Sequence, residues 1–312
     1  MEKITKISIV VPVFNEFENL PYLNERLLKV MTGMGFPFEI IYVDDGSSDG
    51  TENRIAELNA LDARVNGVIL SRNFGHQIAL TAGLENAIGN VIVTLDGDLQ
   101  HPPEVIPELV AAYEKGFDVV NTARQEHQTI SAFKKYSSKL FYKLFNTFAN
   151  LEIEPSSSDF RLCSRRFLDA FKKLEEKDRF IRGMVKWVGF PQTTIPFKAD
   201  ERLKGVSKYN FKKMLMFSIN GITSFSSKPL RIPIFFGIMF CLISLLYSIY
   251  ILYGVLNNKT TPGWSSTIFM VMFIGGVQLL SFGIIAEYVL RIFNESKKRP
   301  LYIVKEKIEK KD

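Results

Sequence analysis

Two aspartates separated by one glycine, Asp96-Gly97-Asp98, follow the apolar run 91–95. Two carboxylates one residue apart at a strand tip can converge on one hard cation, and Mg2+ or Mn2+ held in that way also binds substrate phosphates. A solvated turn is the plainer reading of an isolated Asp-x-Asp. A second acidic cluster lifts this pair above it: Asp44-Asp45-Gly46-Ser47-Ser48-Asp49-Gly50-Thr51, again at the end of an apolar run. Carboxylates there can accept from a base N–H or a ribose hydroxyl, Asp44 first among them. Asp, Gly and Ser also start helices well, so for 47–51 capping is an equal alternative. A third polar end, Pro12-Val13-Phe14-Asn15-Glu16, closes the first apolar run. Neither GxGxxG nor GxxxxGKS occurs, so the sequence signals neither dinucleotide nor P-loop binding.

These clusters need a scaffold, and residues 1–122 supply one. Short apolar runs at 7–13, 39–43, 67–70, 91–95 and 118–120 alternate with helical patterns near 18–31, 51–61, 77–87 and 103–115. That alternation predicts an α/β fold with a mostly parallel sheet covered on both faces. Such sheets bind ligands beyond the carboxyl ends of their strands, where every cluster above falls. The aromatic content of 12% and charged content of 23% exclude disorder. Two cysteines exclude a disulfide scaffold, and three scattered histidines offer no zinc cluster. The run 7–14 is too short for the core of a signal peptide.

The net charge of +6 is unevenly spread. Residues 128–150 hold four lysines and no acid, 204–231 six basic residues and no acid, and the stretch from 291 onward carries +4. Together these reach +14 and leave the rest at −8, a pattern that excludes nucleic acid as a partner and points to an anionic membrane surface. Residues 232–256 and 263–286 contain no charge, and each exceeds the roughly 30 Å hydrocarbon core as a helix. Their basic outer flanks predict a hairpin with both outer ends in the cytoplasm. Tyr247, Tyr250, Tyr253 and Trp264 fall toward the far turn, and Gly275, Gly276 and Gly283 would permit close helix approach. Basic amphipathic patterns at 131–150 and 209–226 suit helices in the headgroup plane. The resulting division is a catalytic domain at 1–203, a basic juxtamembrane segment at 204–231, a two-helix membrane part at 232–290 and a basic tail at 291–312.

The acidic clusters, Asn15-Glu16 and the Ser71-Arg72-Asn73-Phe74-Gly75 turn together resemble the family 2 inverting glycosyltransferases. More narrowly, the chain is similar to the polyprenyl-phosphate glycosyltransferases, which include dolichol-phosphate mannose synthases. Arg161, Arg202-x-x-Gly205-x-Ser207-Lys208 and Glu287-Tyr288…Arg299-Pro300 resemble the two-span bactoprenol glucosyltransferase branch. The resemblance implies a GT-A nucleotide-sugar domain moving a hexose, glucose from UDP-glucose, onto undecaprenyl phosphate at the cytoplasmic face of the inner membrane. It implies donor contacts from Pro12, Phe14, Asn15, Glu16, Asp44, Asp45, Arg72, Asp96 and Gln100, with Mg2+ or Mn2+ on Asp96 and Asp98. It implies a catalytic group of Asp98, Asp159, Arg202 and Lys208. Arg202 and Lys208, with Arg161 and Arg124, would hold the acceptor phosphate. Such a phosphate, with its second pKa about 6, is largely ionised near neutrality and needs no general base. Asp159 then orients an arginine or binds the sugar, with helix capping as the alternative. His76 and Gln77 depart from the lysine and glutamate expected there. GDP-mannose or a UDP-amino sugar is the alternative donor. A processive polysaccharide synthase and a non-catalytic channel or flippase subunit are the other classes. The first would need further spans and a Gln-x-x-Arg-Trp motif, which the Arg179-Phe180…Trp187 stretch does not supply. The oligomeric state is left open.

Overall fold

The computed structural model describes residues 2–125, 157–200, 228–257 and 263–309. The amphipathic patterns at 131–150 and 209–226, with Arg202 and Lys208, lie outside these residues. The first unit alternates β1 (Ile7–Val13), α1 (Leu20–Met34), β2 (Phe38–Asp44), α2 (Thr51–Leu61), β3 (Val65–Leu70), α3 (His76–Asn86) and β4 (Val91–Thr94). A 3-10 turn at Pro103–Val105 leads into α4 (Ile106–Glu114) and β5 (Val119–Arg124). After residue 156 come β6 (Ser157–Ser164), α5 (Arg165–Phe171), α6 (Ile181–Val188) and β7 (Gln192–Phe197). The final strand, β8 (Val304–Ile308), also belongs to this unit.

The eight strands form one sheet in the order β7-β5-β6-β4-β1-β2-β3-β8. Strands β4, β1, β2 and β3 run parallel, as expected from the alternation. Every residue of β1 and β2 is buried, which is why both are dominated by apolar residues, with Ser8 and Glu39 buried as a hydrogen-bonded pair. In α1, Leu20, Leu23, Leu27 and Met31 fall on one stripe against that sheet. The chain leaves β1 for α1 and β2 on one side, while β4 lies on the other. This reversal of strand order opens a crevice between the carboxyl ends of β1 and β4.

Three strands were not legible in the sequence: β6, β8 and β7, which pairs parallel with β5. β6 pairs antiparallel with β4 and β5, placing Arg161 opposite Thr94 and Asn121. Its amino-terminal end therefore reaches the same sheet edge as the carboxyl ends of the parallel strands. β8, in the stretch read as a basic tail, pairs antiparallel with β3. Ile308 packs over Gly67, Ile303 O accepts from Ser71 N at 2.9 Å, and Lys305 pairs with Glu52 at 2.8 Å.

Helix α3 crosses the sheet at Gly83, where an added Cβ would collide with Val10 Cγ1 and stand 2.9 Å from Val43 Cγ2. Both neighbours are short, fully buried side chains with no room to yield. Gly83→Ala is expected to destabilise the unit by about 1–3 kcal/mol, read as a lowered melting temperature.

The second unit contains α7 (Lys228–Leu256) and α8 (Trp264–Ser296). At 29 and 33 residues they extend about 44 and 50 Å, long and apolar enough to cross a membrane. Phe240 and Phe273 meet edge to face at 5.4 Å, and Leu242, Leu246, Leu279 and Leu280 are exposed. Among the described residues nothing lies within 4 Å of a Cβ added at Gly275, Gly276 or Gly283.

Candidate active site

The crevice is walled by four loops whose polar side chains first hold one another. β1 ends at Asn15, whose backbone takes φ 57°, a conformation Asn tolerates. Asn15 N donates to Ser47 Oγ at 2.8 Å and Ser48 N to Asn15 Oδ1 at 2.9 Å. Glu16 N reaches Thr51 Oγ1 at 3.1 Å and Phe17 N reaches Asp49 Oδ2 at 3.1 Å. The loops after β1 and β2 are thus one stitched surface. Pro12 is buried beneath it, and Phe14 is exposed.

Asp44 and Asp45 are largely employed in that stitching. Asp44 accepts the Ser47 N–H at 3.2 Å and the Ser47 hydroxyl. Asp45 accepts Phe74 N at 2.7 Å and Gly75 N at 2.9 Å, fixing the turn that opens α3. Burial pushes both carboxyls above their ordinary range, against these hydrogen bonds. Between the two loops Gly46, at φ 70°, lies so close to the Arg72–Asn73 backbone that any Cβ would strike Arg72 C. Arg72 itself is exposed, its guanidinium 4.2 Å over the Phe74 ring.

The turn after β4 carries the paired acids. Gly97 presses on β1, since a Cβ there would stand 2.7 Å from Val13 Cγ1. Glycine between the acids is therefore a packing requirement. Asp98 Oδ1 accepts Gln100 N at 3.2 Å, and Arg124, at the end of β5, donates from Nη1 to Gln100 Oε1 at 3.3 Å. Asp200 N donates to Gln100 O at 3.3 Å, while Arg26 binds the carboxylates of Asp200 and Glu104. Asp96 Oδ1 is buried and makes no hydrogen bond, although His76 Nε2 stands 3.4 Å from it. A buried carboxylate oxygen that accepts no hydrogen bond is costly unless a cation uses it. Among the described residues no three metal-binding side chains cluster. The donor set therefore fits a hard divalent cation held by Asp96 and Asp98 and completed by substrate oxygens and water, not an all-protein cage.

Across the crevice, Asp159 is the centre of a cationic cluster. Arg182, on α6, grips it with Nε to Oδ1 at 3.1 Å and Nη2 to Oδ2 at 3.1 Å. Arg161 Nη2 reaches Oδ1 at 3.0 Å, Gln77 Nε2 reaches Oδ2 at 3.4 Å, and His76 Nε2 stands 3.6 Å away. Gln77 Oε1 also accepts Ile181 N at 3.1 Å, tying the start of α6 to the same carboxylate. Burial would raise the Asp159 carboxyl. Arg182 above all, with His76 and Arg161, outweighs it and holds the group well below the usual carboxylate range. For His76, burial is opposed by the carboxylates of Asp159 and Asp96, which carry its imidazole up to about 9.

The structure therefore brings together the ends of β1, β2 and β4 with Gln100 and Arg124, and sets Asp159 against Asp96 through His76. Arg161 departs from the expectation that it meets an acceptor phosphate. It lies on β6 with its side chain only 4% exposed and its charge spent on Asp159. Asp159 does not cap a helix either: it lies within β6, and Ser164 Oγ caps α5 by accepting Phe167 N at 3.2 Å. Arg182 was not found from the sequence, because a lone arginine on an eight-residue helix has no diagnostic spacing.

Residues 8–171 match the model of glycosyl transferase family 2, and residues 228–292 match that of the GtrB C-terminal hairpin. The chain is 42% identical over 305 residues to the uncharacterized glycosyltransferase YkcC of Bacillus subtilis (strain 168), covering 97% of this chain and 94% of that one. It is 38% identical over 306 residues to the bactoprenol glucosyl transferase of Shigella phage SfV, covering 98% of this chain and 100% of the relative. Among solved structures it is similar to mannosyl-3-phosphoglycerate synthase from Rubrobacter xylanophilus, at 13% identity and a TM-score of 0.49, over 70% of this chain and 73% of that one.

Proposed function

The chain belongs to glycosyl transferase family 2, and from that premise we propose that it transfers glucose from UDP-glucose to undecaprenyl phosphate at the cytoplasmic face of a membrane, with inversion. The observation that carries this reading is the Asp96 carboxylate at the β1/β4 crevice, whose Oδ1 accepts no hydrogen bond among the described residues, beside Asp98 and facing an arginine-bound Asp159. The glucosyl group and the lipid acceptor are supported by the relatives named bactoprenol glucosyl transferase, which align over 98% and 96% of this chain.

In this reading a phosphate oxygen of the lipid attacks the anomeric carbon while the carbon–oxygen bond to the diphosphate breaks. UDP leaves with the bonding electron pair, and an α-linked donor becomes a β-linked lipid product. Asp96 and Asp98 would hold a divalent cation, which would supply neutralising charge for the departing diphosphate. Asp159 acts as no base, because its carboxylate is committed to two guanidinium groups and is held ionised. It orients Arg182 and His76 at the donor's edge of the crevice. Arg124, anchored to Gln100, and Arg202 and Lys208 are assigned to the acceptor phosphate. Asp200, two residues before Arg202, touches the Gln100 backbone, which supports that placement.

The sheet also bears on topology. β7 precedes both long apolar helices and β8 follows them, yet both belong to one sheet. This supports a hairpin with both outer ends on one side, and the flanking Lys228, Arg231, Lys297, Lys298 and Arg299 favour the cytoplasm. The test incubates detergent-solubilised protein and undecaprenyl phosphate with radiolabelled UDP-glucose, UDP-galactose or GDP-mannose. Label from UDP-glucose alone should enter the organic phase. Label from another donor replaces glucose, and a water-soluble polymer would establish a synthase instead.

A further inference from the structure

His101 takes no part in the chemistry above, yet its ring joins the two acidic centres. It is buried, stacked on Phe160 at 5.4 Å and edge-on to Phe197 at 5.6 Å. Nδ1 lies 3.0 Å from Asp96 N, and Nε2 lies 2.7 Å from Ser158 Oγ. A backbone N–H can only donate, so Nδ1 accepts and carries no proton. The ring proton is then on Nε2 and goes to Ser158 Oγ, which also accepts Phe160 N at 3.2 Å. One imidazole thus spans from the turn bearing Asp96 and Asp98 to the strand bearing Asp159.

The tautomer matters for the carboxylate. Asp96 Oδ2 faces the Nδ1 lone pair at 3.6 Å, and Oδ1 makes no hydrogen bond. With its proton on Nδ1, the ring would instead donate toward Asp96 Oδ2 and satisfy it. Because the Asp96 backbone N–H claims Nδ1, His101 gives the side chain no hydrogen bond, and His76, 3.4 Å from Oδ1, answers its charge without one.

We propose that His101 is a positioning residue of the donor site: it fixes the Asp96–Asp98 turn against β6 and, by accepting the Asp96 N–H on Nδ1, leaves the Asp96 carboxylate open to a divalent cation. This rests on the reading of Asp96 and Asp98 as the cation site. His101→Asn keeps an acceptor near the Nδ1 position, whereas His101→Phe keeps the stacked ring and removes it.

The test uses the full chain in detergent, with Mn2+ binding in the presence of UDP followed by the loss of the free-ion EPR signal. His101→Asn should bind Mn2+ within about threefold of the unaltered protein and His101→Phe about tenfold more weakly, the scale of one buried donor left unpaired. Histidine-15N NMR of the unaltered protein, which has only three histidines, should show an unprotonated Nδ1 at His101. A proton on Nδ1, Asn binding as weakly as Phe, or Phe binding as tightly as histidine each overturns the inference. Should His101→Phe fail to fold, the NMR spectrum and the Asn variant decide it. Failure of the unaltered protein to bind Mn2+ with UDP overturns the cation-site reading itself, and the inference with it.

Discussion

Asp96→Asn is expected to lower sugar transfer by about three orders of magnitude, the several kcal/mol that a divalent cation contributes at a departing phosphate, while the protein melts no earlier. The stability half of this expectation follows from burial. Asp96 Oδ1 has no hydrogen bond to lose, and its charge is answered in the fold by His76 at 3.4 Å without a hydrogen bond. A neutral amide gives up one ion-pair contact of a partly exposed carboxylate and leaves His76 with Asp159, so folding loses little. The activity half follows from counting ligands: with one carboxylate gone, Asp98 alone must hold a cation against solvent. Initial rates of label entering the organic phase, measured across a Mn2+ series and after chelation, read the first half. Melting in detergent reads the second. A variant that retains more than about a tenth of the rate, or an unaltered enzyme indifferent to chelation, removes the cation from the reaction.

Much of this site was legible because parallel strands expose their ends in a fixed place. Once 7–13, 39–43 and 91–95 read as buried strands, Asn15, Asp44 and Asp96 had to share one edge, and the structure puts them there. Sequence reasoning was less able to say what each acid does at that edge. Asp45 has the same residue type as Asp44 and stands next to it, yet its two oxygens are consumed by Phe74 and Gly75 of a distant turn. Only the close approach of that turn, enforced at Gly46, decides the matter. Strands β6 and β8 escaped for a different reason. Ser157–Ser164 mixes Asp159 and Arg161 with apolar residues because one face of the strand carries the buried ion cluster. Val304–Ile308 is charged through its middle, as an edge strand is, with only Val304 and Ile308 turned partly inward. Neither pattern has the apolar density by which the parallel strands declare themselves.

Asp159→Asn should be the most damaging change to the fold and should remove activity with it. Arg161 is buried with its charge, and Asp159 is the carboxylate bonded to it. Breaking such a pair from one side leaves an uncompensated cation, a cost of about 3–5 kcal/mol, which corresponds to a fall in melting temperature of about 10 °C. The amide keeps one accepting oxygen where the carboxylate had two, so Arg182 loses its two-point grip and Gln77 its acceptor, which loosens α6 at the crevice. Replacing Arg161 by Met in the Asn background should return part of the lost stability, since the stranded charge goes with it. Activity should stay low in the double variant, because Arg182 still lacks its two-point grip. The acid limb carries the sign. The folded state holds the Asp159 carboxyl well below its unfolded value, so this group contributes its full stability above about pH 4 and loses it as pH falls through the lower folded value. The gap in melting temperature between the unaltered protein and Asp159→Asn should therefore be constant near neutrality and narrow in strong acid. A general base would behave in the opposite way: the Asn variant would melt normally, and the activity of the unaltered enzyme would rise with a group titrating near neutrality. A normally melting, inactive Asp159→Asn with that pH profile would return proton abstraction to Asp159 and remove the ion cluster from its central place.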